Sequence, residues 1–141
     1  MIVSGDRDAD TFTHSYMLQR FITACAEKHR LRIPTVFHAG DGNIHPILLY
    51  DERKPGEVGR ALAAGHDILE KCIELGGSVT GEHGIGIEKI DFMAKQFTAA
   101  DLDAMRALRR VFDPETRCNP HKIFPGSKRC SDFAPKKQIA A

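Results

Sequence analysis

TVFHAGDGNIHPILLY occupies residues 35–50, and the way this stretch folds back on itself decides the architecture. Leu31 to Phe37 is apolar-rich and carries Ile33, Thr35 and Val36, a β-prone run that predicts a strand. Asp41-Gly42 is a turn dipeptide, and Ile44 to Tyr50 resumes as a second strand. With Asp41 and Gly42 as the two central turn residues, His38 faces His45 directly across the hairpin. Directly opposed side chains have Cβ atoms about 4.5–5.5 Å apart. Two imidazoles at that distance can share a divalent metal. The plainer alternative is a cross-strand pair of half-buried histidines. Pro46 cannot donate to a ladder, so the second strand is expected at an edge or bulged there.

Helices flank the hairpin. Leu18, Phe21, Ile22, Cys25 and His29 follow the i, i+3, i+4, i+7 rule, predicting a one-faced helix from Tyr16 to His29. After Pro55, the positions Val58, Ala61, Leu62, Gly65, Ile68, Leu69, Cys72 and Ile73 make an apolar stripe that Gly76-Gly77 ends. Ser78 to Thr80 is a short strand candidate. Ile87, Ile90, Met93, Ala94 and Phe97 mark a further helix. Thr98 with Asp101 resembles a capping box for a last helix carrying Leu102, Met105, Leu108 and Phe112, which Asp113-Pro114 ends. The expected fold class is α+β: a small antiparallel sheet with helices on one face, then a C-terminal helical segment. The expected organisation is a loose arm over 1–15, a domain over 16–125 and a disordered tail over 126–141. Three strands make so small a sheet that it reads as part of something larger, completed by a second copy or by another stretch of polypeptide.

The second group of reactive side chains is Gly81-Glu82-His83-Gly84-Ile85-Gly86, an acid and an imidazole between glycines on a turn that opens a helix. Glu82 would complete two histidines plus one carboxylate, a set that leaves coordination positions for substrate. Its plainer alternative is a helix N-terminal acid beside an exposed histidine. The GxxGxG spacing is not a dinucleotide fingerprint. Asp41 is explained by its turn. His66 falls on the solvated side of the long helix, while His14, His29 and His121 lack acidic or cysteine neighbours in sequence. Ser78 and Thr80 have no nearby base, which argues against a nucleophilic hydrolase.

Composition bounds the rest. The 141 residues suit one ordinary domain, and 20 basic against 19 acidic residues leave a net charge of +1. That balance steers neither nucleic acid nor anionic lipid, and with no Trp and two Tyr there is little to stack bases on. Cys25, Cys72, Cys118 and Cys130 form no CxxC pair, and three of the four read as reduced core thiols. The first ten residues are too polar for a signal h-region, and no apolar run approaches the ~18 residues of a membrane helix. The expected location is the cytoplasm, at the inner membrane only through partner subunits.

Taken together, VFHAGDGNIHP, GGSVTGEHGIGIEKI and VFDPETRCNPHKIFP resemble the C-terminal region of FAD-linked oxidases. The pattern is nearest to the flavin subunit of glycolate oxidase, with D-lactate dehydrogenases and 2-hydroxyglutarate dehydrogenases as relatives. The resemblance runs from about Tyr16 to Phe124. It implies a partial ferredoxin-like domain in which His38, His45 and Glu82 bind a divalent metal (zinc, manganese or iron) and His83 is catalytic. His83 and Asn43 would contact the substrate. It further implies oxidation of a small 2-hydroxy acid: the metal lowers the hydroxyl pKa, an imidazole takes the proton, and hydride passes to FAD. Pro46 and Ile47 resemble the glycolate oxidase pattern, favouring a small substrate. No segment resembles the family's large flavin-binding domain. The expectation is therefore a C-terminal fragment or truncated remnant, inactive as an isolated chain, or a piece working beside a separate flavin domain, other oxidase subunits or further copies of itself. The alternative function is a non-catalytic metal- or small-acid-binding module.

Overall fold

The computed structural model describes residues 9–126, which fall into two compact units divided after Gly84. The first contains α1 (Ala9–His29), β1 (Thr35–His38), β2 (Asn43–Pro46) and α2 (Glu57–Glu74). The second contains α3 (Ile90–Gln96) and α4 (Ala99–Phe112). This is the expected α+β composition, with a sheet of two antiparallel strands.

In the first unit the apolar stripes of α1 and α2 face each other. Leu18, Ile22 and Cys25 meet Ala64, Ile68 and Cys72, and Ile44 of β2 closes the cluster, with Phe21, Leu31, Ile33 and Leu48 around it. Burying a Leu or Ile side chain stabilises by about 1.5–3 kcal/mol, so these contacts fix where the hairpin stands on the helix pair. Helix α1 begins at Ala9, seven residues before the expected start, so 9–15 are helical and not a loose arm. Leu62, placed in the α2 stripe from sequence, is 71% exposed; Ala64 takes its place in the core.

The hairpin differs from expectation in register. His38 pairs with Asn43, Phe37 with Ile44, Val36 with His45 and Thr35 with Pro46. The turn begins earlier than Asp41-Gly42: Asp41 N–H donates to His38 O at 3.0 Å, and Gly42 follows in the left-handed region at φ 65. Gly42 thus supplies the positive φ that ends a four-residue loop built on a tight turn, in place of a two-residue one. The strands are also shorter than expected: Pro34 has no N–H to return to Ile47, while Pro46, opposite Thr35 at a non-hydrogen-bonded position, stays within β2. Beyond them pairing continues in the same register through Ile47 N–H to Pro34 O at 2.8 Å and an isolated Arg32–Leu49 bridge. Of the strand candidate 78–80, Ser78 alone is bridge-paired; the backbone bends at Val79, and Ser78 Oγ donates to Thr80 O at 3.0 Å.

In the second unit, α4 opens on the expected capping box, with Asp101 N–H donating to Thr98 Oγ1 and Thr98 N–H to Asp101 Oδ2. Helix α3 starts at Ile90, so Ile87 lies in the preceding turn. Of the expected α4 stripe, Leu102 is buried, whereas Leu108 and Phe112 are 63% and 81% exposed. The expected tail lies outside the described residues except for Gly126, as does Cys130. No described helix is long and apolar enough to cross a membrane.

Candidate functional site

Three elements of the first unit bring the site together. His38 ends β1, His45 stands in β2, and Glu82 lies on the loop that follows α2. The two histidines are diagonal neighbours, not directly opposed: His45 stands two residues beyond Asn43, the partner of His38. A two-residue shift keeps a side chain on its face of the sheet, where a one-residue shift would have reversed it. The diagonal span is within reach of long side chains. The rings meet edge to face, with centroids 5.4 Å apart.

Glu82 reaches the same place, its Oε1 lying 3.0 Å from His45 Nε2. One ligand atom each of His38, His45 and Glu82 lies within 4.8 Å of the other two. Close as it is to the carboxylate, His45 Nε2 is misaligned for a hydrogen bond and has no bonded partner among the described residues. A buried imidazole nitrogen without a partner is costly unless something else satisfies it. Burial holds the His45 pKa below its ordinary value; the neighbouring His83 and His38 push the same way, and Glu82 opposes them. The ring is therefore neutral at pH 7, the form in which a histidine binds metal. Two neutral imidazoles and one carboxylate could hold a divalent ion.

His83 joins this cluster from the loop. Its Nε2 stands 3.1 Å from the same Glu82 oxygen, and its ring centroid is 5.3 Å from that of His45. With 69% of its side chain exposed, it is open to an incoming molecule. Gly84, at φ 76, turns the chain immediately afterwards. Asn43 is 4% exposed, and its Oδ1 has no partner among the described residues. Register places it on the histidine face, beside His38. A cavity of about 160 Å³ opens between α1 and the turn end of the hairpin, lined by Tyr16, Phe37, His38 and Ile44 and almost wholly apolar.

The sequence reading missed one cluster. His29 has both an acidic and a cysteine neighbour in space: its Nε2 lies 2.7 Å from Asp67 Oδ2, and Cys25 stands one turn back on α1. The i, i+4 spacing of Cys25 and His29 was the available signal. Asp67, 38 residues from His29 in sequence, needed the packing of α1 on α2 to reveal it. His66 is exposed on α2 as expected, and the Cys25 and Cys72 thiols are buried, whereas Cys118 is exposed.

Comparison with known proteins gives concordant matches. The family model described as FAD linked oxidases, C-terminal domain, matches residues 12–123. Glycolate oxidase subunit GlcD of Escherichia coli (strain K12) is 46% identical over 112 residues, which are 79% of this chain and 22% of that protein. Glycolate oxidase subunit GlcD of Bacillus subtilis (strain 168) is 43% identical over 108 residues, 77% of this chain and 23% of the relative. D-lactate dehydrogenase of Anaerostipes hadrus is 37% identical over 93 residues, 65% and 20% of the two chains. The chain spans about a fifth of the length of these relatives.

Proposed function

The chain belongs to the family of FAD linked oxidases, C-terminal domain, and from that premise we propose that it is the substrate- and metal-binding part of an FAD-dependent 2-hydroxy-acid oxidoreductase of the glycolate oxidase or D-lactate dehydrogenase kind. The observation that carries this reading is the convergence of His38, His45 and Glu82 on one point, with a His45 nitrogen that has no bonded partner among the described residues. The donor set fits a divalent ion: two borderline nitrogens and one anionic oxygen suit zinc, manganese or iron, and the carboxylate offsets part of the charge that two neutral imidazoles leave. Bound at these positions, the ion supplies Lewis acidity toward a 2-hydroxyl and the FAD a hydride acceptor.

The protein's own residues divide the remaining work. His38, His45 and Glu82 fix the position at which the hydroxyl and carboxylate of a 2-hydroxy acid are gathered. His83, exposed beside them, accepts the hydroxyl proton at the ring nitrogen that faces away from Glu82, whose Oε1, 3.1 Å from Nε2, offsets the charge of the imidazolium. Asn43 supports the substrate side from beneath His38. FAD belongs, in this reading, mainly to a flavin-binding domain outside these 141 residues. The partners are that domain, other oxidase subunits or further copies of the chain, in the cytoplasm.

Single-turnover flavin reduction, measured with the chain joined to its flavin domain, tests the assignment. Replacing His83 by Ala should slow reduction by a 2-hydroxy acid by roughly 10²–10⁴. An unchanged rate would remove His83 from the chemistry.

A further inference from the structure

Cys25, His29 and Asp67 lie outside the hairpin site. Cys25 and His29 sit one turn apart on α1, so both side chains lie along the face that packs on α2. Asp67 comes from α2, three residues after Ala64, whose carbonyl receives Cys25 Sγ at 3.7 Å. One ligand atom from each of the three lies within 4.8 Å of the other two, and the His29–Asp67 pair is at 2.7 Å.

We propose that these residues form a second divalent-metal site, selective for a thiophilic ion of the zinc class, which ties α1 to α2. The donors are one sulfur, one nitrogen and one oxygen. That set suits zinc, cobalt or cadmium and is poor for magnesium or calcium, which require several hard oxygens. A tetrahedral centre with bonds of about 2.0–2.3 Å needs its donors roughly 3.3–3.8 Å apart. The sulfur, within 4.8 Å of the other two donors, need close by no more than about 1 Å, and the 2.7 Å His29–Asp67 pair must open by less than that, within the play of side-chain rotation. Three protein ligands leave the fourth position for water.

Two features oppose the ion, and both can yield. Lys28 Nζ bonds Asp67 at 2.7 Å, but its side chain is 66% exposed, and surface pairs of this kind contribute least. Burial, with Asp67 adding, raises the Cys25 thiol pKa, so the free site keeps its proton. Coordination releases that proton to solvent and replaces it with a dication beside the thiolate. At the hairpin the donors are nitrogen and oxygen alone, so sulfur ligation separates the two sites spectroscopically.

Cobalt(II) titration of the 141-residue chain under reducing conditions, with Cys118 and Cys130 replaced by Ser, reads this site through thiolate-to-cobalt charge-transfer absorption in the near ultraviolet. The expected result is a saturable band that disappears in C25S, weakens about 10-fold or more in apparent affinity in D67N, and is unchanged in H45A. Absence of the band at saturating cobalt, or its survival in C25S, overturns the proposal. If C25S does not fold, D67N and H29Q decide: unchanged affinity in both overturns it. Because H45A leaves the band in place, failure of the hairpin site and failure of this one are read separately.

Discussion

Two histidine clusters stand in one small unit, and they are finished to different degrees. On the helix pair, His29 and Lys28 both reach Asp67 at 2.7 Å, so this carboxylate has protein partners that an ion would have to displace. At the hairpin, His45 Nε2 stands 3.0 Å from Glu82 yet bonds nothing among the described residues, and Asn43 Oδ1 beside it is also unbonded. Helices place side chains in rows that pair with one another, whereas a two-stranded hairpin and a glycine-flanked loop hold theirs apart from any mate. The difference separates a cluster whose protein pairs an ion must displace from one whose His45 nitrogen has no such pair among the described residues.

The largest expected effect breaks the hairpin side of this contrast. Replacing His45 by Ala removes one of three ligands and should lower manganese or zinc affinity at the hairpin by at least about 100-fold, more than loss of an outer hydrogen-bonding partner. Isothermal titration checks it, and H29A should leave the hairpin affinity unchanged. A smaller effect is expected on the helix side. Asp67→Ala leaves the half-buried His29 without its acceptor and should cost about 1–2 kcal/mol in denaturant unfolding. Lys28 and His29 hold the Asp67 pKa below its ordinary value by hydrogen bonding. A carboxylate depressed on folding stabilises above its unfolded pKa, and that stability fades as pH falls through the lower folded value. The pH dependence of wild type minus Asp67→Ala should therefore appear below the ordinary carboxylate range.

The smallest effect sharpens the comparison through His45. Burial, helped by the neighbouring imidazoles, depresses its folded pKa. The folded state then binds fewer protons than the unfolded one, so the contribution of His45 is fully present above the ordinary imidazole value of about 6.5 and declines as pH falls through the folded one. Proton-monitored NMR titration should place the His45 midpoint below that of an unstructured histidine. A midpoint above it would mean that Glu82 dominates and the ring is charged.

Much of this was legible before any coordinates. The i, i+3, i+4 stripes of α1 and α2 follow from helical period, and Thr98 with Asp101 marked the start of α4. Face survived where register did not: the expected turn put His38 opposite His45, the observed one puts it opposite Asn43, and both leave the histidines on one side. Loop length was illegible because Asp-Gly suits a two-residue turn as well as the end of a longer one, and hydrogen bonding of Asp41 to His38 O decided between them. Pro34 shortened β1 by withholding a ladder donor. Asp67 could not be assigned to His29, because only the packing of two helices joins them. Nor does sequence order tell that one Glu82 carboxylate oxygen lies within 3.1 Å of both His83 and His45.

That shared oxygen makes the roles of Glu82 and His83 the central claim. Equilibrium dialysis of a divalent ion against wild type, Glu82→Gln and His83→Ala, with the metal content of each measured after dialysis, tests it most directly. The account predicts one hairpin ion per chain in wild type, strong loss in Glu82→Gln and retention in His83→Ala. Retention in Glu82→Gln with loss in His83→Ala would contradict it, making the second imidazole the ligand and the carboxylate its neighbour.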